Sequence, residues 1–402
     1  MRLLHVVPLL GVAQIISWGT LYYTIGVLGQ PMREAAGVSE LFLYGCFTVS
    51  LLLSGILAPA IGKMIDAHGG RLALSSGSLA AATSLTMLAF ANGPILLVIG
   101  WTLAGAAMAA TLYDPAFATL NQLTREHYRR AVTALTLFGG FASTVFWPLT
   151  HLLVDPLGWR GTLLVYAGLH LFICLPVHAF TLRHAHRLVL KPTPTSAHAA
   201  ATLPQASAQA ALTFRWLALS FVGASFVISI VGVHMISLLT GSGLSTPDAV
   251  LVGMLMGPMQ VAGRLVEMGL LSKARAAHVG LGAIAMIFMG VLMLLVSQGE
   301  MVGAVLFVAA YGCGNGVFTI VRGTAPAELI GRDQLGALLG RLSRPAMIAK
   351  ALAPATFTGL LALGLTRDSV LALLGLVMVG AWTSFLCATR QAGRRASAVT
   401  AT

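Results

Sequence analysis

Apolar runs long enough to cross a bilayer, which takes roughly 20 residues, follow one another along the whole chain, separated by short charged or glycine-containing breaks. Twelve such runs are predicted as membrane helices, at approximately 8–30, 41–63, 72–91, 94–120, 131–154, 160–182, 213–240, 248–271, 277–297, 301–322, 335–363 and 368–390. Met1 to Ala13 has the look of a signal peptide. The apolar run continues to Leu28 without a cleavage site, so it is read as the first span. Arg183 to Leu212 is rich in Ala, Thr, Pro and His and holds no long apolar run, a composition suited to a flexible linker. The expected organisation is an all-α membrane protein. Residues 1–182 form a six-helix half, 183–212 a cytoplasmic linker, 213–392 a second six-helix half and 393–402 a cytoplasmic tail.

Composition supports that pattern. Of 402 residues, 57% are hydrophobic and only 9% charged, against about 25% charged in a soluble domain. Such a chain cannot cover a water-facing surface. The net charge of +12 is not gathered on one face, as nucleic-acid binding would need. It falls in short loops, as the positive-inside rule describes. With both termini cytoplasmic, about 16 Lys and Arg lie inside, among them Lys63, Arg71, Arg125, Arg129, Arg130, Arg183, Arg187, Lys273, Arg275, Arg394 and Arg395; only Arg33, Arg160 and Arg367 lie outside. The expected location is a bacterial inner (plasma) membrane. Cys46, Cys174, Cys313 and Cys387 fall in different spans with no metal-ligand spacing, so no metal or cofactor is expected.

The break between the second and third spans reads Gly62-Lys63-Met64-Ile65-Asp66-Ala67-His68-Gly69-Gly70-Arg71. Gly62 allows close helix approach. Asp66 can cap the next helix or pair with a basic group. Gly69 and Gly70 allow a tight turn, and Arg71 can bridge back. The pattern Gly-x-x-x-Asp-x-x-Gly-Gly-Arg resembles the signature loop of the major facilitator superfamily, matching at Gly62, Asp66, Gly69 and Arg71. Gly158-Trp159-Arg160 is also often seen there, and Gly263-x-x-x-Glu267 with Lys273 and Arg275 is a weak second-half copy of the signature. The resemblance covers nearly the whole chain and implies two homologous six-helix halves, alternating access and a monomer.

Within that superfamily there is a weaker likeness to monocarboxylate porters and oxalate-type antiporters. It is carried by Trp18-Gly19-Thr20-Leu21-Tyr22-Tyr23, Val27-Leu28, Pro31-Met32 and Gln260-Val261-Ala262-Gly263-Arg264. Arg264 matches the porters' essential arginine, but Gln260 stands where they carry an acid, and their first-helix lysine is absent. The fourth-helix arginine of many proton-coupled members is replaced by Trp101, and the antiporter signature is missing from the fifth span, which reads Gly139-Gly140 and later Trp147-Pro148. These departures leave the direction of transport open.

A charge inside the bilayer costs roughly 2.5–3.5 kcal/mol on insertion scales and is a site candidate. Asp114, followed by Pro115, lies deep in the fourth span, where it either carries a proton or pairs with a cytoplasmic arginine such as Arg125 or Arg129. Gln260, Arg264 and Glu267 share one helical face; Arg264 either meets substrate or is neutralised by Glu267. Lys350 lies near mid-membrane and either contacts an anion or is paired internally. Arg322, Arg341 and Arg344 lie nearer the cytoplasmic end and suit headgroups or an inner gate. Gln14, Trp18 and Tyr22 form one stripe, with Tyr23 beside it, either packing or lining a cavity. Tyr311 and Asn315 share a face of the tenth span, and His234 is either a packed residue or a proton site.

Arg264 and Lys350 outnumber Asp114 at depth, a bias that favours an anion. The expected function is a secondary active transporter of a small organic anion such as a monocarboxylate, with a proton as coupling ion. An efflux transporter for a hydrophobic or toxic compound is the alternative within transport, and a non-transporting membrane sensor the alternative outside it. No Walker, GxSxG or HExxH motif is present, so neither direct ATP use nor an intramembrane enzyme is expected.

Overall fold

The computed structural model describes residues 3–182 and 204–400. The expected linker's residues 183–203, with Arg183 and Arg187, lie outside the described residues, as does the side chain of Arg125. Among the described residues there is no strand. The membrane helices are α1 (Val6–Ala36), α2 (Glu40–His68), α3 (Gly70–Ala89) and α4 (Pro94–Leu123), then α5 and α6 within Tyr128–Thr181. They continue with α7 (Ala208–Thr240), α8 (Thr246–Gly269), α9 (Ala276–Val296), α10 (Met301–Leu329), α11 (Leu335–Ala362) and α12 (Arg367–Arg394).

Tyr128–Thr181 forms one helical stretch of 54 residues. At 1.5 Å per residue it would be about 80 Å long, more than twice the hydrocarbon core. It turns back at Gly158, whose φ of 66° and ψ of 173° form a backbone conformation open to glycine and strained for residues with a Cβ. The two passes are therefore α5 (128–157) and α6 (159–181), and the described residues hold twelve passes. The expected linker's last residues are helical: 204–212 open the helix Pro204–Thr240. Alanines, the strongest helix formers, dominate that stretch. The expected tail likewise continues the helix Arg367–Thr400.

Contacts group the chain into two units, Met1–Lys191 with Gln334–Arg344, and Pro192–Asp333 with Pro345–Thr402. The first residues of α11 thus pack with the first unit. In that unit Trp101, Phe117, Tyr128 and Tyr166 are fully buried; in the second, Phe221, Phe307, Tyr311, Phe318 and Phe385 are. Leu41, Phe172, Leu270 and Leu376 are exposed, as an exterior that meets lipid requires. In the second unit α8 and α10 pack with their backbones in contact. A Cβ on Gly263 would overlap the Cys313 backbone, and one on Gly316 the Gln260 backbone.

Two prolines leave carbonyls that side chains of the same unit fill. α4 is interrupted at Leu112. Pro115 has no N–H to offer the Thr111 carbonyl four residues earlier. Gln14 of α1 donates from Nε2 to that carbonyl at 2.6 Å, and to Leu112 at 3.5 Å. In α11, Pro354 deprives the Lys350 carbonyl in the same way, and Ser229 Oγ of α7 donates to it at 2.7 Å. Without these donors each carbonyl would be unpaired in a medium that offers no water.

Gln14→Leu and Ser229→Ala should each cost about 1–3 kcal/mol by leaving a buried acceptor unsatisfied. The loss should appear as a lowered unfolding temperature of the detergent-purified protein. Unchanged midpoints would show that the freed carbonyls need no partner.

Candidate substrate and coupling residues

The α2–α3 signature acts on α11. Ala58, Gly62 and Asp66 recur every four residues on one face of α2, as do Gly336 and Gly340 on α11. A Cβ on Gly62 would overlap the Gly336 carbonyl, and one on Gly340 the Ala58 carbonyl. This contact brings the Asp66 carboxylate against the start of α11. Its two oxygens accept from the Gly336 N–H at 2.9 Å and the Ala337 N–H at 2.7 Å. These N–H groups are among the four that an α-helix cannot satisfy itself, and the helix dipole adds to the attraction. Asp66 was expected to cap the next helix or to pair with a base; it caps a helix 270 residues further on. Gly69 ends α2 with φ of 78°, its N–H on the Ile65 carbonyl at 2.8 Å. The same carbonyl accepts from Gln122 Nε2 at 2.8 Å. Arg71 is exposed at the start of α3.

Asp114 stands two residues after the α4 break, half-buried. Its Oδ2 accepts from Ser343 Oγ at 2.5 Å, and it has a further interaction besides. Asp66 and Asp114 therefore both hold the segment Gln334–Arg344. Arg341 and Arg344 of that segment are exposed, and Arg322 of α10 is half-buried.

In the second unit Gly263, Arg264 and Glu267 are the buried residues of the helix Met256–Gly269. Arg264 is 3% exposed, and its Nε and Nη1 have no hydrogen-bond partner. Glu267 is buried one turn on. Gln260 and Asn315 are half-buried along the α8–α10 contact. Tyr311 is fully buried, its hydroxyl donating to the Ile228 carbonyl at 3.1 Å. Lys350 is half-buried and has a partner. His234 Nε2 meets the Pro354 carbonyl at 3.3 Å, and its ring lies 4.5 Å from Phe357.

The first unit also gathers aromatic rings. Trp18, Tyr22 and Tyr23 lie in a π-helical segment, Trp18–Tyr23. Trp18 contacts Tyr22 at 5.3 Å and Tyr113 at 5.0 Å between ring centroids, and Tyr22 contacts Phe47 at 5.6 Å. Trp101, in the position of the missing fourth-span arginine, is fully buried against Phe47 at 5.4 Å.

Two histidines of α6 escaped the sequence reading. His170 and His178 are completely buried. His170 Nε2 is 2.8 Å from Thr20 Oγ1, and His178 Nδ1 is 2.8 Å from Ser78 Oγ. Their eight-residue spacing inside an apolar run was the available signal, since any ionisable residue at that depth is a candidate. Ser343 carried no such signal, because a hydroxyl in a membrane helix is common.

Asp66→Ala should cost about 0.5–2 kcal/mol, the usual loss on removing a helix cap, and Asp66→Asn, which keeps one oxygen acceptor, should cost less. The comparison is read from unfolding midpoints in detergent. Equal midpoints for wild type and Asp66→Ala would show that the cap contributes no stability.

Residues 10–343 match the family model described as Major Facilitator Superfamily. An uncharacterized 38 kDa protein in the 23S RNA operon of Thermoproteus tenax is 29% identical over 136 residues; the match spans 34% of this chain and 36% of that relative's length. Among solved structures, the human organic anion transporter MFSD10 has a TM-score of 0.72 at 14% identity, covering 96% of this chain and 100% of that one. The proton:xylose symporter XylE has a TM-score of 0.72 at 12% identity, with coverages of 95% and 94%. The E. coli fucose:proton symporter FucP has a TM-score of 0.68 at 14% identity, with coverages of 97% and 99%. At these identities the structural likeness is one of fold. The family match extends over more than four-fifths of the 402 residues, and with twelve membrane passes and the α2–α3 signature in place the chain belongs to the Major Facilitator Superfamily of membrane transport proteins.

Proposed function

We propose that this protein is a secondary active transporter that moves a small organic anion, such as a monocarboxylate, by alternating access with a proton as the coupling ion. Arg264 carries the anion reading. A guanidinium stays charged at any physiological pH. Burying it without satisfying its donors costs several kcal/mol. With Nε and Nη1 unbonded at 3% exposure, Arg264 retains hydrogen-bond capacity that a carboxylate would satisfy strongly. Gln260, Asn315 and Lys350 are the polar groups proposed to complete substrate contact in the same unit.

Asp114 is proposed as the proton carrier. It is an acid inside a membrane helix, beside a break, and its bond to Ser343 ties its charge to the first turns of α11. His234 suits this role less, because its ring is bonded to a backbone carbonyl and packed on Phe357. Asp66, Gly62, Gly69, Arg71, Glu267, Arg341 and Arg344 are proposed as conformational residues rather than substrate contacts. The asymmetry of Lys and Arg supports cytoplasmic termini in a bacterial inner membrane, and the proposed working form is a monomer.

The test is uptake of labelled small monocarboxylates into proteoliposomes, with and without an imposed proton gradient. Arg264→Gln should reduce uptake at least about 30-fold, since losing one side of a desolvated charged contact costs about 2–5 kcal/mol. Uptake unchanged by that substitution would remove the anion reading. Asp114→Asn should abolish accumulation driven by the gradient while leaving substrate exchange in place. Gradient-driven accumulation that survives in folded Asp114→Asn protein would assign the proton to another group.

A further inference from the structure

We infer that the first unit carries a binding surface for an aromatic ring, so that the transported anion is an aryl carboxylate and not a short aliphatic one. The inference rests on the organic-anion reading above and deepens it. Its basis is the ring cluster of α1, α2 and α4. Trp18, Tyr22, Tyr23, Phe47 and Tyr113 are all half-buried, unlike Trp101 behind them, which is fully enclosed. Each keeps part of its side chain accessible.

The surface faces inward within its unit. At 100° per residue, Trp18 lies opposite Leu9 and about 120° from Val12, which are 39% and 40% exposed. It lies on the same side as Gln14, four residues earlier, whose amide is committed to α4. Trp18 is therefore turned away from the exposed Leu9 face of α1 and meets Tyr113 of α4.

Geometry and local backbone agree on a binding role. Trp18–Tyr22, Tyr22–Tyr23 and Tyr22–Phe47 meet edge to face, with interplanar angles of 66°, 88° and 62°. That is the arrangement in which the positive edge of one ring meets the negative face of another. A further flat ring can join such a cluster, whereas a saturated group of equal size gains only its apolar area. Trp18, Tyr22 and Tyr23 also sit in π-helical backbone, a rare geometry frequent at functional sites that recurs in this unit at His170–Cys174 and Val177–Thr181. One turn before Trp18, Gln14 is 1% exposed and its Oε1 has no hydrogen-bond partner.

The experiment compares benzoate with cyclohexanecarboxylate, two acids of equal charge and carbon number that differ in having a π face. Labelled forms of each are taken up by proteoliposomes holding the full chain. Wild type should show a KM about 2- to 12-fold lower for benzoate, the range of an aromatic pair beyond its buried area. Trp18→Leu should erase the difference by raising the benzoate KM alone, and Trp18→Phe should restore it. Tyr22→Leu serves as a second variant should Trp18→Leu not fold. Equal KM values in wild type, or a ratio indifferent to Trp18 and Tyr22, would overturn the aromatic surface while leaving Arg264-dependent anion uptake intact. Inhibition of benzoate uptake by tetramethylammonium, lost in Trp18→Leu, would overturn it in favour of a cation-binding cage. Uptake of neither acid, with Arg264→Gln indistinguishable from wild type, would overturn the organic-anion reading and this inference with it.

Discussion

A helix that begins, breaks or meets a proline inside a membrane protein leaves backbone groups that only the protein can satisfy. Much of this structure follows from how that requirement is met. Pro115 frees the Thr111 carbonyl and Gln14 takes it; Pro354 frees the Lys350 carbonyl and Ser229 takes it. The first N–H groups of α11 are taken by Asp66. In each case one helix begins or meets a proline and another supplies the missing partner, so a local irregularity becomes a link between helices. The two proline devices occur in the first and second units and use the first helix of each, α1 and α7.

The same requirement makes the unsatisfied groups informative. Most deep polar side chains are engaged: Tyr311 with Ile228, Thr20 with His170, Ser78 with His178 and Asp114 with Ser343. Against that background Arg264 stands apart. It is a permanent charge, nearly fully buried, with two nitrogens unbonded. The close glycine packing of α8 on α10 holds the backbone that presents it, and the buried Glu267 stands one turn on. A rigidly placed donor with spare hydrogen bonds is a favourable arrangement for recognising an anion that arrives and leaves.

Asp66 and Asp114 give the start of α11 two acidic attachments of different chemistry. Asp66 holds backbone N–H groups that cannot be removed by changing a side chain. Asp114 holds the Ser343 hydroxyl, whose preference between a carboxylate and a carboxylic acid depends on the proton. The division of α11 between the two units falls immediately after this second attachment, at Arg344. In the proposed cycle, proton uptake at Asp114 would act on the helix segment that Asp66 also secures.

The sequence by itself determined the class, the twelve passes and the signature turn, because each is short-range. A membrane span is an unbroken apolar run, and a turn between spans is a fixed local pattern of glycine and charge. It also marked Asp114, Arg264 and Lys350, since ionisable residues stand out in an apolar run. It could not identify the partner of Asp66, which lies 270 residues away, nor the use of Gln14 and Ser229 as donors to proline-freed carbonyls, nor that of Ser343 on Asp114. It placed Tyr311 on one helical face with Asn315 but could not identify the Ile228 carbonyl as the partner of its hydroxyl, and it passed over His170 and His178. Only the tertiary structure decided these points. Which helix lies against which, and at what rotation, depends on the packing of small residues across helices distant in sequence, and no local periodicity records it.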